Sequence, residues 1–240
     1  MRIAVIGGTG VVGRYTVEAL QRERHDTVVI ARACGADITT GEGLDHALLG
    51  VDVVIDVANI QAADAETTRN LFAAATRNVL SAEQRAGVRH HVLLSIVGID
   101  RLEGNAHFDG KRRQEQLLSN SPVPVTIQRV TQFHEFAWQV VQWTRQGQVA
   151  TVPPLLVQPI AAADVGEVLA EIATGAPRGR ATDLAGPEPQ DLVDMARRTL
   201  AARGEPLRNG SWRSRSKEGA PKKRIRLFCK ESLERIDGNK

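Results

Sequence analysis

The chain opens on an apolar run, RIAVI at 2–6, that stops at a glycine cluster, after which Val12, Thr16, Ala19 and Leu20 recur at helical spacing. That pattern predicts a strand, a glycine turn and a helix. Two further runs, TVVIA at 27–31 and VDVVIDV at 51–57, are β-branched and do not alternate with polar residues, as expected of strands covered on both faces. Leu44, Ala47 and Leu48 predict a short helix between them, and Leu71, Ala75, Val79 and Ala82 predict a long one that stops at Gly87. HHVLLS at 90–95 and PVTIQRV at 124–130 continue the alternation, with a helix over 108–119 that ends before Pro122.

Repeated strand and helix patterns imply a parallel sheet with right-handed crossovers and helices on both faces, a doubly wound, Rossmann-like α/β fold. From about 133 the rhythm changes. FHEFAWQVVQWTRQG reads as an aromatic-rich helix, and Pro153, Pro154 and Pro159 break up the next segment. Asp164 with Glu167 predicts a capping box opening a helix closed by Gly175, and a last helix is expected from Gln190 to Arg203. The predicted organisation is one domain over 1–206, with 1–130 as its nucleotide half and 131–206 as a small substrate-side annex, followed by a tail over 207–240.

Composition adds three points. A chain of 240 residues is long enough for one sizeable core, and it holds no apolar run of membrane-span length. Cys34 and Cys229 are far apart in sequence and lack metal-ligand spacing, so no disulfide framework or zinc site is expected and a reducing cytoplasm is the natural setting. The net charge of +3 hides an asymmetry: eleven basic and four acidic residues follow residue 206, so the tail carries +7 and the body −4. With only Trp212 and Phe228 available for stacking, the tail is a poor case for nucleic-acid binding and reads first as a solvated charge run.

The candidate chemistry begins at GGTGVVG, which places Gly7, Gly10 and Gly13 between a strand and a helix, with Thr9, Val11 and Val12 in the same turn. The first glycine allows a tight turn, the second lets backbone approach a pyrophosphate, and the third lets helix and sheet pack closely. Helix N-terminal amides then meet the negative charge, so the turn predicts dinucleotide binding. The second strand ends at Arg32, and Arg14 follows the turn. Two guanidiniums there suit the 2′-phosphate of NADP(H) and disfavour NAD(H), the alternative being that both are solvated surface arginines. Asp37 and Ile38 are placed at the adenine end of the crevice, and Ala58 and Asn59 at the end of the third strand, where ribose and nicotinamide pass.

In order along the chain, GGTGVVG, GADITTGEGLDHALLGVDVVIDVAN, RNVLSAEQRAGVRHHVLLSIVG, the Lys111 helix, VPVTIQRVTQF, PIAAADVGEVLAEIA and TDLAGPEP resemble the atypical short-chain dehydrogenase/reductases, especially the NmrA-like NAD(P)-binding group. The resemblance implies that Ser95 and Lys111 are the active-site serine and lysine, with Lys111 also able to hold ribose hydroxyls. It departs from the family at the tyrosine four residues before that lysine, where His107 stands. Tyr15, the chain's only tyrosine, lies on the first helix. Val130 replaces a proline common in the family, whereas Gln132 and Phe133 are retained.

An imidazole titrates near neutrality, so His107 is the candidate replacement acid if it lies on the helix one turn from Lys111; otherwise it is an ordinary loop residue. Lys111 and Glu115 also have the spacing of a surface ion pair. Phe108, Phe133, Phe136 and Trp138 are candidates either for an aromatic substrate pocket or for core packing. His90 and His91 start a strand and point to opposite faces, which disfavours a metal site. The expected function is NADPH-dependent hydride transfer to a small apolar carbonyl, enone or quinone. The alternative is a non-catalytic NAD(P)-binding redox sensor acting through a protein partner. A small-molecule substrate is the expected partner, a homodimer stays open, and no membrane association is expected.

Overall fold

A computed structural model of the protein describes residues 1–205 apart from Gln61, Ala63 and Gln148; the basic tail, with Trp212 and Phe228, lies outside the described residues. The first strands and helices follow the predicted alternation: β1 (Arg2–Ile6), α1 (Val11–Arg22), β2 (Asp26–Ile30), α2 (Leu44–Ala47), β3 (Val53–Asp56), α3 (Ala65–Ala86), β4 (His90–Ile96), α4 (Ala106–Ser119) and β5 (Val125–Val130). Then come α5 (Phe136–Thr144), β6 (Leu156–Val157), α6 (Ala162–Thr174), β7 (Gly179–Arg180), β8 (Gln190–Asp191) and α7 (Leu192–Ala202). Six strands form one sheet in the order β2-β1-β3-β4-β5-β7, and every pairing in it is parallel. The order reverses between β1 and β3, so the crevice at the carboxyl ends of these two strands is the natural ligand site of a doubly wound sheet.

The chain divides into two compact units. One holds Met1–Val130 and Ala163–Leu184; the other holds Thr131–Ala162 and the described residues from Ala185 onward. Residues 163–184 thus return to the nucleotide unit, whereas the predicted 131–206 annex places them in the second half. The reason is local: α6 packs on α1 so closely that a Cβ on Gly166 would lie 2.8 Å from Tyr15, and β7 adds to β5. In the second unit α5 and α7 share an apolar core with Val152 and Val157, and β6 pairs antiparallel with β8.

Helix boundaries follow their caps. Asp64 accepts from the Thr67 amide at 2.8 Å to open α3, and Gly87, at φ +73°, closes it. Asn105 accepts from the amides of His107 (3.0 Å) and Phe108 (3.2 Å), so α4 starts two residues before the predicted 108 and includes His107. Asp164 does not cap α6, because the helix already begins at Ala162. The last helix starts at Leu192, with Asp191 as its cap, because Gln190 and Asp191 are held in the β6–β8 pairing. No helix among the described residues is long and apolar enough to cross a membrane.

The sheet is apolar on both faces. Ala4, Ile6, Ile30, Leu44, Leu48, Val54 and Val79 form one cluster, and Leu93, Leu118 and Ile127 form another. Helices α3 and α4 meet where Gly110 leaves room for the buried Phe72; any Cβ there would collide with its ring. Polar groups enter this core in pairs. His90 shares a 2.8 Å hydrogen bond with Thr126, His91 contacts Glu83 at 2.6 Å with both side chains buried, and Arg129 pairs with Glu115 and Asp100.

These histidines set an acid limit on stability. Burial, with nearby positive charge, lowers the pKa of both His90 and His107 from 6.5 to about 4, so the fold keeps each neutral. Below 6.5 the unfolded chain takes up protons that the folded chain refuses, so this contribution is complete above pH 6.5 and is lost as pH falls to about 4. His91 has the opposite sign: Glu83 raises its pKa, so its contribution is present at lower pH and fades as pH rises through that raised value. The melting temperature is therefore expected to fall steadily between pH 6.5 and 4, before the aspartates whose pKa values the fold lowers begin to protonate. A thermal melt that stays flat across this window would show that the two imidazoles are not held neutral.

Candidate active site

At the glycine turn, Gly7 adopts φ +79° and donates to the Ile30 carbonyl at 2.9 Å, and its own carbonyl accepts from Gly10 at 2.9 Å. A Cβ at Gly13 would collide with the Gly7 carbonyl and the Gly8 backbone, so only glycine lets α1 enter this close to β1. Gly10 caps α1 without a side chain, leaving the first helical amides open to an anion. Thr9, Val11 and Arg14 are exposed around the turn, whereas Val12 is buried and offers only its backbone. A Cβ on Gly7 would lie 3.1 Å from the backbone of Ala58, so the structure brings the end of β3 against the turn. Asn59 follows, exposed.

Arg32 is exposed at the head of a 3-10 turn directly after β2. Its charge acts on Asp37, whose carboxylate accepts from the Thr39 amide (2.7 Å) and hydroxyl (2.6 Å); these bonds hold Asp37 below the usual carboxylate range. Ile38 is half-buried against the β1–β2 core, and its carbonyl accepts from Asn78 at 3.0 Å. Asp37 and Ile38 therefore build the turn that follows β2, with Arg32 exposed at its head and Arg14 exposed on α1 directly after the glycine loop.

The second half of the site lies at the end of β4. Ser95 is buried there, and its hydroxyl has no hydrogen-bond partner. Lys111 is the only lysine in the first 216 residues, and it is buried. Its ammonium donates to the Leu94 carbonyl and to Gln114 Oε1, each at 2.8 Å, and lies 5.8 Å from the centre of the Phe72 ring. Burial lowers the lysine's pKa, opposed by the charges of Asp56 and Glu115. Glu115 is not its ion-pair partner: it accepts from Arg129 at 2.8 Å instead, so the surface-pair reading of Lys111 and Glu115 does not hold.

His107 lies on α4, one turn before Lys111, edge-on to Phe72 with ring centroids 5.4 Å apart. The expected titration near neutrality is corrected. Burial and the Lys111 charge outweigh a hydrogen bond to the Ile60 backbone and bring its pKa to about 4. Its Nδ1 is buried without a hydrogen-bond partner. Phe136 and Trp138 pack against the core of the second unit, and Arg203 sits 4.2 Å over the Trp138 ring.

Two buried residues escape a reading of the sequence alone. Asp56 ends β3, and its carboxylate accepts from Gln114 at 2.7 Å and from the Ala58 amide at 2.9 Å. A carboxylate inside the apolar run VDVVIDV, and a glutamine three residues after the body's sole lysine, are the available signals.

Residues 7–175 match the family model described as NAD(P)H-binding. The chain belongs to this NAD(P)H-binding family, of the atypical short-chain dehydrogenase/reductase type. Its relatives include the Photosystem II assembly factor Ycf39 of Synechocystis sp., 29% identical over 147 residues covering 55% of this chain and 45% of that protein. The Trieres chinensis Ycf39 is 25% identical over 149 residues, covering 56% and 47%. The chain thus spans about half the length of the curated relatives it matches. Among solved structures, the Thermus thermophilus UDP-glucose 4-epimerase complex with NAD shares the fold at TM-score 0.66 and 17% identity, covering 85% of this chain and 84% of that one. The epimerase Mth375 from Methanothermobacter thermautotrophicus does so at TM-score 0.71 and 14% identity, covering 85% and 77%.

Proposed function

We propose that this NAD(P)H-binding chain is an NADPH-dependent oxidoreductase that transfers hydride to a small apolar carbonyl, enone or quinone. The observation that carries the proposal is Lys111: the body's only lysine is buried at the end of β4, bonded to the carbonyl of the residue before Ser95. A cation placed there at a desolvation cost is poorly explained as a surface charge.

When bound, NADPH supplies a hydride from its nicotinamide ring. The open amides of α1 hold the pyrophosphate, and Arg14 and Arg32 take the 2′-phosphate. The Ser95 hydroxyl donates to the substrate oxygen, and the Lys111 charge stabilises that oxygen as it gains negative charge. With its pKa lowered to about 4 by burial and the Lys111 charge, His107 is neutral at pH 7 and is not the acid. Quinones and enones fit a site so arranged, because their reduced oxyanions are delocalised and can take a proton from solvent after hydride transfer.

Replacing Arg14 or Arg32 by Ala is expected to weaken NADPH binding tenfold or more while leaving NADH binding nearly unchanged, since each lost charge-assisted bond is worth about 1.5–3 kcal/mol. Calorimetric titration with both dinucleotides measures this; equal losses for the two would place the arginines on a group common to both, and no loss for either would assign them to solvent. Turnover is tested by NADPH consumption with 2-methyl-1,4-naphthoquinone, cyclohex-2-enone and benzaldehyde under anaerobic conditions. A second reading, a dinucleotide sensor acting through a protein partner, draws on the neutral His107 in the tyrosine's place and on the likeness to assembly factors. It predicts saturable binding with no consumption of NADPH.

A further inference from the structure

Gln114 stands between a buried cation and a buried carboxylate that form no ion pair with each other. An ammonium can only donate, so the Gln114 atom facing Lys111 at 2.8 Å must be the carbonyl oxygen. Its amide nitrogen then faces the Asp56 carboxylate at 2.7 Å, a group that accepts. Asp56 spends its other oxygen on the Ala58 amide at 2.9 Å, and the Ala58 backbone packs on Gly7. All three side chains are at most 5% exposed, so every bond in the chain forms away from water.

Resting on the oxidoreductase reading, we propose that Gln114 is a positioning residue for Lys111. It fixes the ammonium against the Leu94 carbonyl beside Ser95 and ties that position, through Asp56 and Ala58, to the wall of the glycine turn. Gln114 acts as a polarity adaptor. Its amide turns the acceptor that Asp56 offers into an acceptor aimed at Lys111, which a direct Asp56–Lys111 contact would supply only if one of the two moved. The opposing influences of burial and of Asp56 on the lysine agree with this arrangement.

The test follows the Lys111 ammonium in the full-length chain labelled with 15N-lysine, its resonance being the one that disappears in Lys111→Met. Gln114→Leu removes both bonds, and the Lys111 deprotonation midpoint is expected to fall by about one pH unit or more as the cation loses its acceptor. Gln114→Glu keeps an acceptor towards Lys111 while its other oxygen, facing the Asp56 carboxylate, holds a proton shared with Asp56, and the midpoint is expected to stay at or above that of wild type. NADPH oxidation by 2-methyl-1,4-naphthoquinone should show the same shift in its pH profile, the alkaline fall of kcat moving to lower pH in Gln114→Leu. KM for NADPH should stay within about twofold, as Gln114 is buried. A Lys111 midpoint in Gln114→Leu identical to that of wild type would overturn the proposal; if Gln114→Leu does not fold, Gln114→Met, which also removes both bonds, decides it. Absence of NADPH oxidation by wild type would remove the oxidoreductase reading, while the Lys111 titration would still report on Gln114.

Discussion

Lys111→Met is expected to lower NADPH oxidation by about 10²–10⁴-fold, the range typical of losing a group that manages charge or protons in the transition state. The fold should survive. Methionine has the length and flexibility to lie along the space vacated by the lysine stem, and its sulfur can take a favourable position near the Phe72 ring. Replacing a buried charge by an apolar side chain of similar volume is often neutral for stability, because the desolvation cost disappears with the charge. Against this, the Leu94 carbonyl and Gln114 Oε1 each lose a donor, which limits any gain. The variant should therefore melt close to wild type, bind NADPH and turn it over slowly. Activity within a few fold of wild type would mean that Lys111 is a structural cation with no part in hydride transfer.

The largest expected effect on stability is at Glu83. Its carboxylate contacts His91 Nδ1 at 2.6 Å, and both side chains are at most 1% exposed. Glu83→Ala leaves a buried imidazole that Glu83 had favoured in its charged form, together with a cavity on α3, and breaking a buried pair in this way costs about 3–5 kcal/mol. Replacing both partners, as in Glu83→Leu with His91→Leu, removes the two desolvation costs together and should recover most of that loss. Urea unfolding of Glu83→Leu, His91→Leu and the double variant measures the coupling. If the two single destabilisations sum to that of the double variant, the pair is not an interacting unit.

The sequence exposes most of the nucleotide unit because the physics there is local. Strands β1 to β5 are apolar runs bounded by glycines or caps, and parallel strands buried on both faces carry no ambiguity of face. Where pairing depends on distant residues, sequence patterns are incomplete. Each two-residue strand, β6 to β8, is too short to have a period, and β7 returns to the main sheet only because β5 is available to pair with it. Asn105 is a visible cap, yet its effect is legible only from the bonds it accepts from His107 and Phe108. The glycine turn can be read because steric requirements are written in the residue type: Gly13 has no alternative against the Gly7 carbonyl.

The candidate site is legible in its parts but not in its electrostatics. Ser95 and Lys111 fall where the resemblance to the atypical reductases places them, at a strand end and on the following helix. The state of His107 is not legible, since an imidazole's pKa is set by what buries it and by the charge beside it, neither of which a sequence displays. Asp56 is hidden for a related reason. A carboxylate in an apolar run is indistinguishable from a strand-end residue until Gln114, 58 positions later, is seen to donate to it.

Hydride transfer is tested most directly by single-turnover stopped-flow under anaerobic conditions, mixing the NADPH complex with 2-methyl-1,4-naphthoquinone and following loss of the reduced nicotinamide absorbance. Rapid loss is expected in wild type, slowing by about 10²–10⁴-fold in Lys111→Met with NADPH still bound. Tight binding with no loss of reduced nicotinamide in wild type, here and with cyclohex-2-enone and benzaldehyde, would contradict hydride transfer and leave the dinucleotide sensor as the function.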